Sequence, residues 1–325
     1  MQRRTILTAA VAGTALITSP MLRAQTLPSG PVRIIVGFAP GGGTDILARV
    51  IAQKLGVMWN IPVLVENKAG AAGMIAADYV AKQPSDGATL LMAHINSHAI
   101  APALTPKMTY SVENDFSPIV LVGVTPNLLI CNEHQAARTV KDVVELCRKN
   151  PGRISFGSAG NGSAQHLALE MFKLAAKIDA IHVPYKGSAP MLTDLIGGQI
   201  NYSFDTMTAA TPHVKSGKAI AIAQTRTKRA MGHPNVPTMD ESGFPSFEAT
   251  TWYGLVGPSK LPSALAKRMN EDINKVLQMP EVAEKFEQYG AEDGGGSTEK
   301  FGNFIKVEAK KWAKVVKDAN VKGDA

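Results

Sequence analysis

Two glycine-rich segments hold most of the chemistry that this sequence could perform. Phe38-Ala39-Pro40-Gly41-Gly42-Gly43-Thr44-Asp45 follows a short apolar run and opens a helical stretch. Glycines let a backbone approach a ligand closely, and the first turn of a helix presents unpaired N–H groups at the positive end of its dipole. In outline this is an anion cradle. The same residues would also serve as a tight turn, with Thr44 or Asp45 capping the helix. The segment is not a P-loop, because no Lys-Ser/Thr pair follows the glycines, and the G-x-G-x-x-G spacing of a dinucleotide site is absent.

The second segment is Gly157-Ser158-Ala159-Gly160-Asn161-Gly162-Ser163-Ala164-Gln165-His166, again between a strand-like run and a helix, with Ser163 placed to cap. Neither segment contains arginine or lysine. An anion bound there would be held by backbone N–H groups, hydroxyls and bridging water. His166 reads either as a ligand contact or as a half-buried helix residue bonding a carbonyl. Other strand ends offer His94-Ile95-Asn96-Ser97-His98, Tyr185-Lys186-Gly187-Ser188 and Asp205-Thr206-Met207. Asp205 either caps the next helix or accepts from a ligand hydroxyl or amine. Lys186 reads as a ligand or as a solvated surface lysine.

Catalysis finds little support. Ser163 and His166 do not form a G-x-S-x-G elbow, and no glutamate follows His94 as a zincin requires. Cys131 and Cys147 are the only cysteines, with no Cys-x-x-Cys or Cys/His cluster that would bind zinc. An oxidising compartment would permit a disulfide between them. Against it, Cys131 ends a strand and Cys147 lies late in the next helix, which sets their Cα atoms apart. No catalytic residue, metal or cofactor is expected.

Elements must position these loops, and the apolar pattern supplies them. Strands are expected at Val32–Val36, Val63–Val65 and Thr89–Ala93, with helices at Thr44–Met58 and about Ala72–Lys82 between them. Beyond Pro126 the alternation restarts. It runs through strand Asn127–Ile130, helix Val140–Lys149, strand Ile154–Phe156, helix Ser163–Ala176 and strand Ile181–Val183. A helix near Met191–Ile196, strand Ile200–Phe204, a helix near Ala209–Lys215 and strand Ala219–Ala223 complete it. Such alternation predicts βαβ units with parallel sheets covered on both faces. Phe116–Val124 and Thr251–Val256 stand between and after the two series as crossing strands. The tail is helical at Pro262–Leu277, Val282–Tyr289 and Thr298–Lys317, and should pack back on the first series. The expected domains are residues 25–124 with 251–325 as a discontinuous first lobe and 125–250 as a second, with ligand between them.

At the N-terminus, Arg3 and Arg4 precede an apolar run from Ile6 to Ile17, then Ser19, Pro20 and Arg23-Ala24-Gln25. This predicts a signal peptide over residues 1–24, exported by the Sec or the twin-arginine route. The run falls short of the roughly 20 apolar residues a membrane span needs. Cleavage removes three arginines, so the formal charge of +7 falls to +4. The densest basic group, Lys306 to Lys317, sits at helical spacing among apolar residues, which predicts a solvated helix face and no nucleic-acid partner.

At these loops the sequence resembles the tripartite tricarboxylate transporter substrate-binding family, the Bug family of periplasmic receptors. The resemblance lies in Val36–Asp45, Val65–Gly73, Pro84–Leu91, Phe156–His166 and His182–Pro190. It continues in Phe204-Asp205, Val236-Pro237-Thr238, Glu241-Ser242-Gly243 and Trp252-Tyr253-Gly254. It implies a periplasmic-binding-protein type II (Venus flytrap) fold, two α/β lobes joined by two hinge strands. It further implies a monomeric periplasmic receptor that traps a small organic carboxylate. The receptor would deliver it to the membrane components of a tripartite transporter, or present it to a membrane sensor. The implied ligand-binding residues are Phe38, Ala39, Gly41, Gly42, Thr44, Asp45, Asn96, Ser158, Ala159, Gly160, Ser163, His166 and Asp205. His94–His98 departs from the small polar residues usual there, and a ring would narrow or repolarise the pocket.

Overall fold

The computed structural model describes residues 27–105 and 107–321, so the expected signal peptide lies outside the described residues. The first series forms as its pattern dictates. Strand β1 (Val32–Val36) leads into helix α1 (Gly43–Trp59), strand β2 (Val63–Asn67), helix α2 (Met74–Ala81) and strand β3 (Thr89–His94). β1 pairs in parallel with β2 and β3. Leu47, Ile51 and Leu55 place one face of α1 in the core with Ile34, Val36 and Met92, and Asn60 ends the helix in the left-handed conformation.

After β3 the chain enters a π-turn (Asn96–Ile100) that continues as helix α3 (Ala101–Leu104). No apolar period announces these helical turns, because the π-turn is buried on all sides, including its polar residues Asn96, Ser97 and His98.

Strand β4 (Phe116–Asn132) is one continuous element of 17 residues, where the sequence suggests two pieces split at Pro126. Pro126 is tolerated because it stands at the end of the ladder with the strand Thr250–Pro258, opposite Thr250. The second series then follows: α4 (Val140–Lys149), β5 (Ser155–Ser158), α5 (Ala164–Ala176), β6 (Ile181–Pro184) and α6 (Ser188–Ile196). Strand β7 (Tyr202–Thr206), helix α7 (Met207–Lys215), strand β8 (Ala219–Gln224) and strand β9 (Thr250–Pro258) complete the strands.

The strand order is β2-β1-β3-β9-β4-β7-β5-β6, with β8 on β4. Parallel pairing is confined to β1–β2, β1–β3, β5–β6 and β5–β7, while β4 and β9 run antiparallel to their neighbours. The expectation of parallel sheets therefore holds within each α/β unit and fails for the strands that connect them. The fold is two-lobed and of the periplasmic-binding-protein type II class.

Helices α8 (Ser263–Leu277), α9 (Pro280–Gln288) and α10 (Thr298–Asp318) close the chain. α8 joins the core around β1 and α1 through Leu265, Met269 and Ile273, and Trp59 donates to Asp272 at 3.0 Å. α10 lies over the Asn96–Leu104 turns and β4. Cys131 and Cys147 are buried and unbridged, and burial pushes both thiols up to about 11. No helix of the described residues is long and apolar enough to cross a membrane.

On β9, a Cβ at Gly254 would fall 2.0 Å from the Phe301 ring, so α10 can seat only against a glycine. Gly254→Ala should lower unfolding stability by about 1–3 kcal/mol through overpacking, read as a lower urea midpoint. An unchanged midpoint would mean that α10 does not pack tightly on β9.

Candidate functional site

The two glycine loops come together across a cleft of about 790 Å³, a size usual for small-molecule sites. Phe38 of the first loop lines one wall, with Asn96 and Leu104 from the turns after β3. Ala159, Gly160 and Gly162 of the second loop line the other wall, beside Tyr185 and Lys186. A second, small cavity of about 10 Å³ is lined by Phe38, Gly42, Thr44 and Ala159 together with His94, Gln165, Ser188, Thr206 and Tyr253. Phe38 and Ala159 border both spaces. A larger hollow of about 1070 Å³, lined by Phe116, Leu261, Lys267 and Lys306, contains no residue of either glycine loop.

The remaining expected site residues stand behind these walls and shape them. Asp45 accepts from the Gly41 N–H and Arg49 Nε, each at 2.9 Å, and from Asn67 Nδ2 at 2.9 Å. Asn67 Nδ2 also donates to the Phe38 carbonyl at 3.0 Å. Burial would raise the Asp45 carboxyl, but these hydrogen bonds outweigh it and hold the group below its ordinary value. Asp45 thus ties the first loop down from within the first turn of α1, whose N-cap is Gly42 and not Thr44 or Asp45. Gly43 is where the backbone has no room: a Cβ there would meet Tyr253 Oη at 2.6 Å and Thr206 Oγ1 at 2.9 Å. Gly41 and Gly42 are less crowded, and Ala39 faces Gly187 of the opposite loop.

The second loop is braced by a different set. Ser163 caps α5 by accepting from the His166 N–H at 3.2 Å, as its position predicts. His166 does not bond a carbonyl: its Nδ1 accepts from the Gly162 N–H at 3.1 Å, which puts the ring proton on Nε2, 3.7 Å from Glu170. The ring stacks on His182 at 3.8 Å, and His182 reaches Ser158 Oγ at 2.6 Å. Ser158 Oγ in turn accepts from the Gly160 N–H at 3.1 Å. Burial and the neighbouring His166 hold His182 down at about 3, so it is neutral at physiological pH. Gly162 has φ +68°, and a Cβ there would strike Leu104 at 2.6 Å, so a side chain would push the two walls apart.

Asp205 is fully buried and lines neither space. Its Oδ1 accepts from Ser188 Oγ at 2.5 Å, the Thr206 N–H at 2.8 Å and Gln165 Nε2 at 3.4 Å, while Oδ2 has no partner. The cap of α7 is Thr206, which accepts from the Ala209 N–H, so Asp205 organises the strand end and is not the cap.

Residue-type reasoning gives no role to Tyr253, Gln165, Ser188 or Thr206: the last three stand in the loop segments singled out above, and Tyr253 stands in a crossing strand. Tyr253, Gln165 and Ser188 also stand within segments that carry the family resemblance. His94 lies between Phe38 and Tyr253, with ring centroids at 4.8 and 5.3 Å. Burial pushes it down to about 3, so the ring narrows the inner cavity without adding charge. His98 packs instead against Tyr110 and Phe116. Lys186 is exposed at the cleft and forms no ion pair among the described residues. Among the described residues it is the single charged side chain in the cleft lining. Among the described residues no group of three or more His, Cys, Asp or Glu is placed to hold a metal.

Comparison with known proteins bears on the family and the fold. A family model described as the tripartite tricarboxylate transporter family receptor matches residues 47–321. Protein BugT of Bordetella pertussis is 35% identical over 310 residues, covering 95% of each chain. An R. palustris protein solved with adipate superposes with a TM-score of 0.89 at 33% identity, over 91% of this chain and 99% of that one. The periplasmic binding protein BugD has a TM-score of 0.87 at 34% identity, over 91% of this chain and 100% of its own.

Burial raises Asp205 to about 6 from an ordinary 3.8, against the hydrogen bonds from Ser188, Thr206 and Gln165. Between those values the folded protein retains a proton that the unfolded chain releases, so stability falls as pH rises through the window. Asp205→Asn should remove about 2–3 kcal/mol of that fall, compared by urea unfolding near pH 4 and near pH 7. Equal pH dependence in the two proteins would show Asp205 already ionised across the range.

Proposed function

The chain belongs to the tripartite tricarboxylate transporter receptor family, and on that premise we propose that it is a monomeric periplasmic binding protein for a small organic carboxylate. It captures the anion between its lobes and passes it to the membrane components of a tripartite transporter, without chemical change. The observation that carries this reading is the charge of the cleft: among the described residues its lining has one lysine and no aspartate or glutamate. Asp45 and Asp205, the acids of the expected site, bond groups behind the walls instead.

Phe38, Ala39, Gly41, Gly42 and Thr44 form one half of the cradle, Ala159, Gly160 and Ser163 the other, with Ser158 bonded behind it to His182 and Gly160. Asn96 spans them, and Asp45, His166 and Asp205 hold the loops in shape. Each helix start, at α1 and α5, contributes a few tenths to about 1 kcal/mol towards an anion. The adipate found in the R. palustris neighbour is consistent with a cleft whose other walls are apolar, with Met74, Ala101, Leu104 and Pro190. The lobes would divide as residues 25–124 with 251–325, and 125–250.

A thermal-shift screen over aliphatic and aromatic mono-, di- and tricarboxylates should return at least one stabiliser. At 100-fold excess over its dissociation constant the gain is about 2.7 kcal/mol. The diamine and the diamide of the same length should give none, and stabilisation by these in place of the acids would overturn the reading. Lys186→Met should weaken the best acid by under about 1 kcal/mol, because that ammonium is largely solvated. A hundredfold loss by calorimetry would instead make Lys186 the main anchor.

A further inference from the structure

Asn96 sits at the start of the π-turn after β3, is 1% exposed, and lines the cleft. Its Oδ1 accepts at 2.9 Å from the N–H of Ala164, the first residue of α5. The two residues are 68 positions apart and lie on opposite walls of the cleft. Ser163 already serves the N–H of His166 in the same helix turn. Helix α5 is therefore capped twice, once by its own serine and once from across the cleft.

A carboxamide can be turned over without changing its shape, so its orientation must be read from its partners. Ala164 N–H is only a donor, so the oxygen must face it. The amide nitrogen then points elsewhere, and Nδ2 is buried with no hydrogen-bond partner. A buried donor left unpaired is costly, and an acceptor oxygen from a ligand in the cleft would remove that cost. The facing loops also approach closely at Gly187, where an added Cβ would lie 3.4 Å from Ala39 N.

We propose that Asn96 couples lobe closure to ligand capture, its amide oxygen capping α5 across the cleft and its amide N–H thereby presented to an oxygen of the bound carboxylate. The proposal rests on the reading of the cleft as a carboxylate site. Closure orients the donor, and a ligand that accepts from the donor favours closure in return, which is linkage through a single side chain.

Asn96→Asp keeps an acceptor for Ala164 N–H but has no donor and adds a negative charge. Asn96→Ala loses both functions. The test uses the whole protein near pH 7.5, with small-angle scattering and with calorimetry against succinate, malate and adipate. We expect Asn96→Asp to match the wild type in ligand-free scattering while losing at least about a hundredfold in affinity for the best acid. Asn96→Ala should give a larger ligand-free radius of gyration and lose about tenfold in affinity. An Asn96→Asp affinity within threefold of wild type would overturn the donor role, and an unchanged ligand-free radius in Asn96→Ala would overturn the cap. If the wild type binds none of the acids, the carboxylate reading fails, while the ligand-free comparison still decides the cap.

Discussion

The antiparallel pairing of β4 with β9 is the constraint on which everything else in this molecule depends. β4 runs for 17 residues, about 55 Å at the usual rise of a strand, and belongs to both half-sheets. Its first part, Phe116 to Pro126, pairs with β9, and its last part, Asn127 to Asn132, pairs with β7 and β8. Two register shifts, at Pro118/Val120 and Leu121/Gly123, interrupt the ladder within the first half-sheet, beside β3 and before the strand crosses into the second. Backbone at the crossover is buried and fully engaged. The Asn127 N–H donates to Thr225 Oγ1 and its side chain to the Ala249 carbonyl, while Thr225 N–H returns to Asn127 O. Two glycine loops on units far apart in sequence can face each other only because this crossover fixes how the half-sheets are set.

The electrostatics of the cleft follow from where the acids are spent. Asp45 closes its own loop, Glu170 pairs with Lys173 and His166, and Asp205 bonds Ser188, Gln165 and Thr206. His94 and His182 are held neutral by burial. Among the described residues, what remains towards the cleft is backbone, the amides of Asn96 and Asn161, the hydroxyls of Thr105 and Tyr185 and the exposed Lys186, with apolar surface between them. Such a wall attracts an anion without placing a fixed counter-charge against it, which keeps release as feasible as capture. The histidines here brace the loop: the Gly162 N–H hydrogen bond and the His166–His182 stack hold the glycine-rich backbone in one shape.

Much of the architecture was legible because local rules decide it. Val140–Lys149 is a helix at both boundaries expected, with Thr139 capping it, since its amphipathic period and its cap agree. β1 and β3 are largely apolar runs because both faces are covered, and the glycine loops stand at strand ends as the βαβ pattern requires. The helical turns from Asn96 to Leu104 escaped notice for a complementary reason. They are buried by α10, some 200 residues downstream, and a fully buried turn has no polar face to create a period.

The sequence by itself determined the strand–loop–helix order, the glycine loops and the absence of cationic side chains within them, because propensity, capping and turn chemistry act over a few residues. Only the tertiary structure decided which way each candidate faces. It turned Asp45, Ser158, His166 and Asp205 behind the walls and placed Lys186 at the cleft. It also brought Tyr253, Gln165 and Ser188 to the inner cavity and set Asn96 against Ala164. The physical reason is that a side chain's direction is set by what packs and bonds around it from distant segments, and spacing along the chain carries no record of those partners.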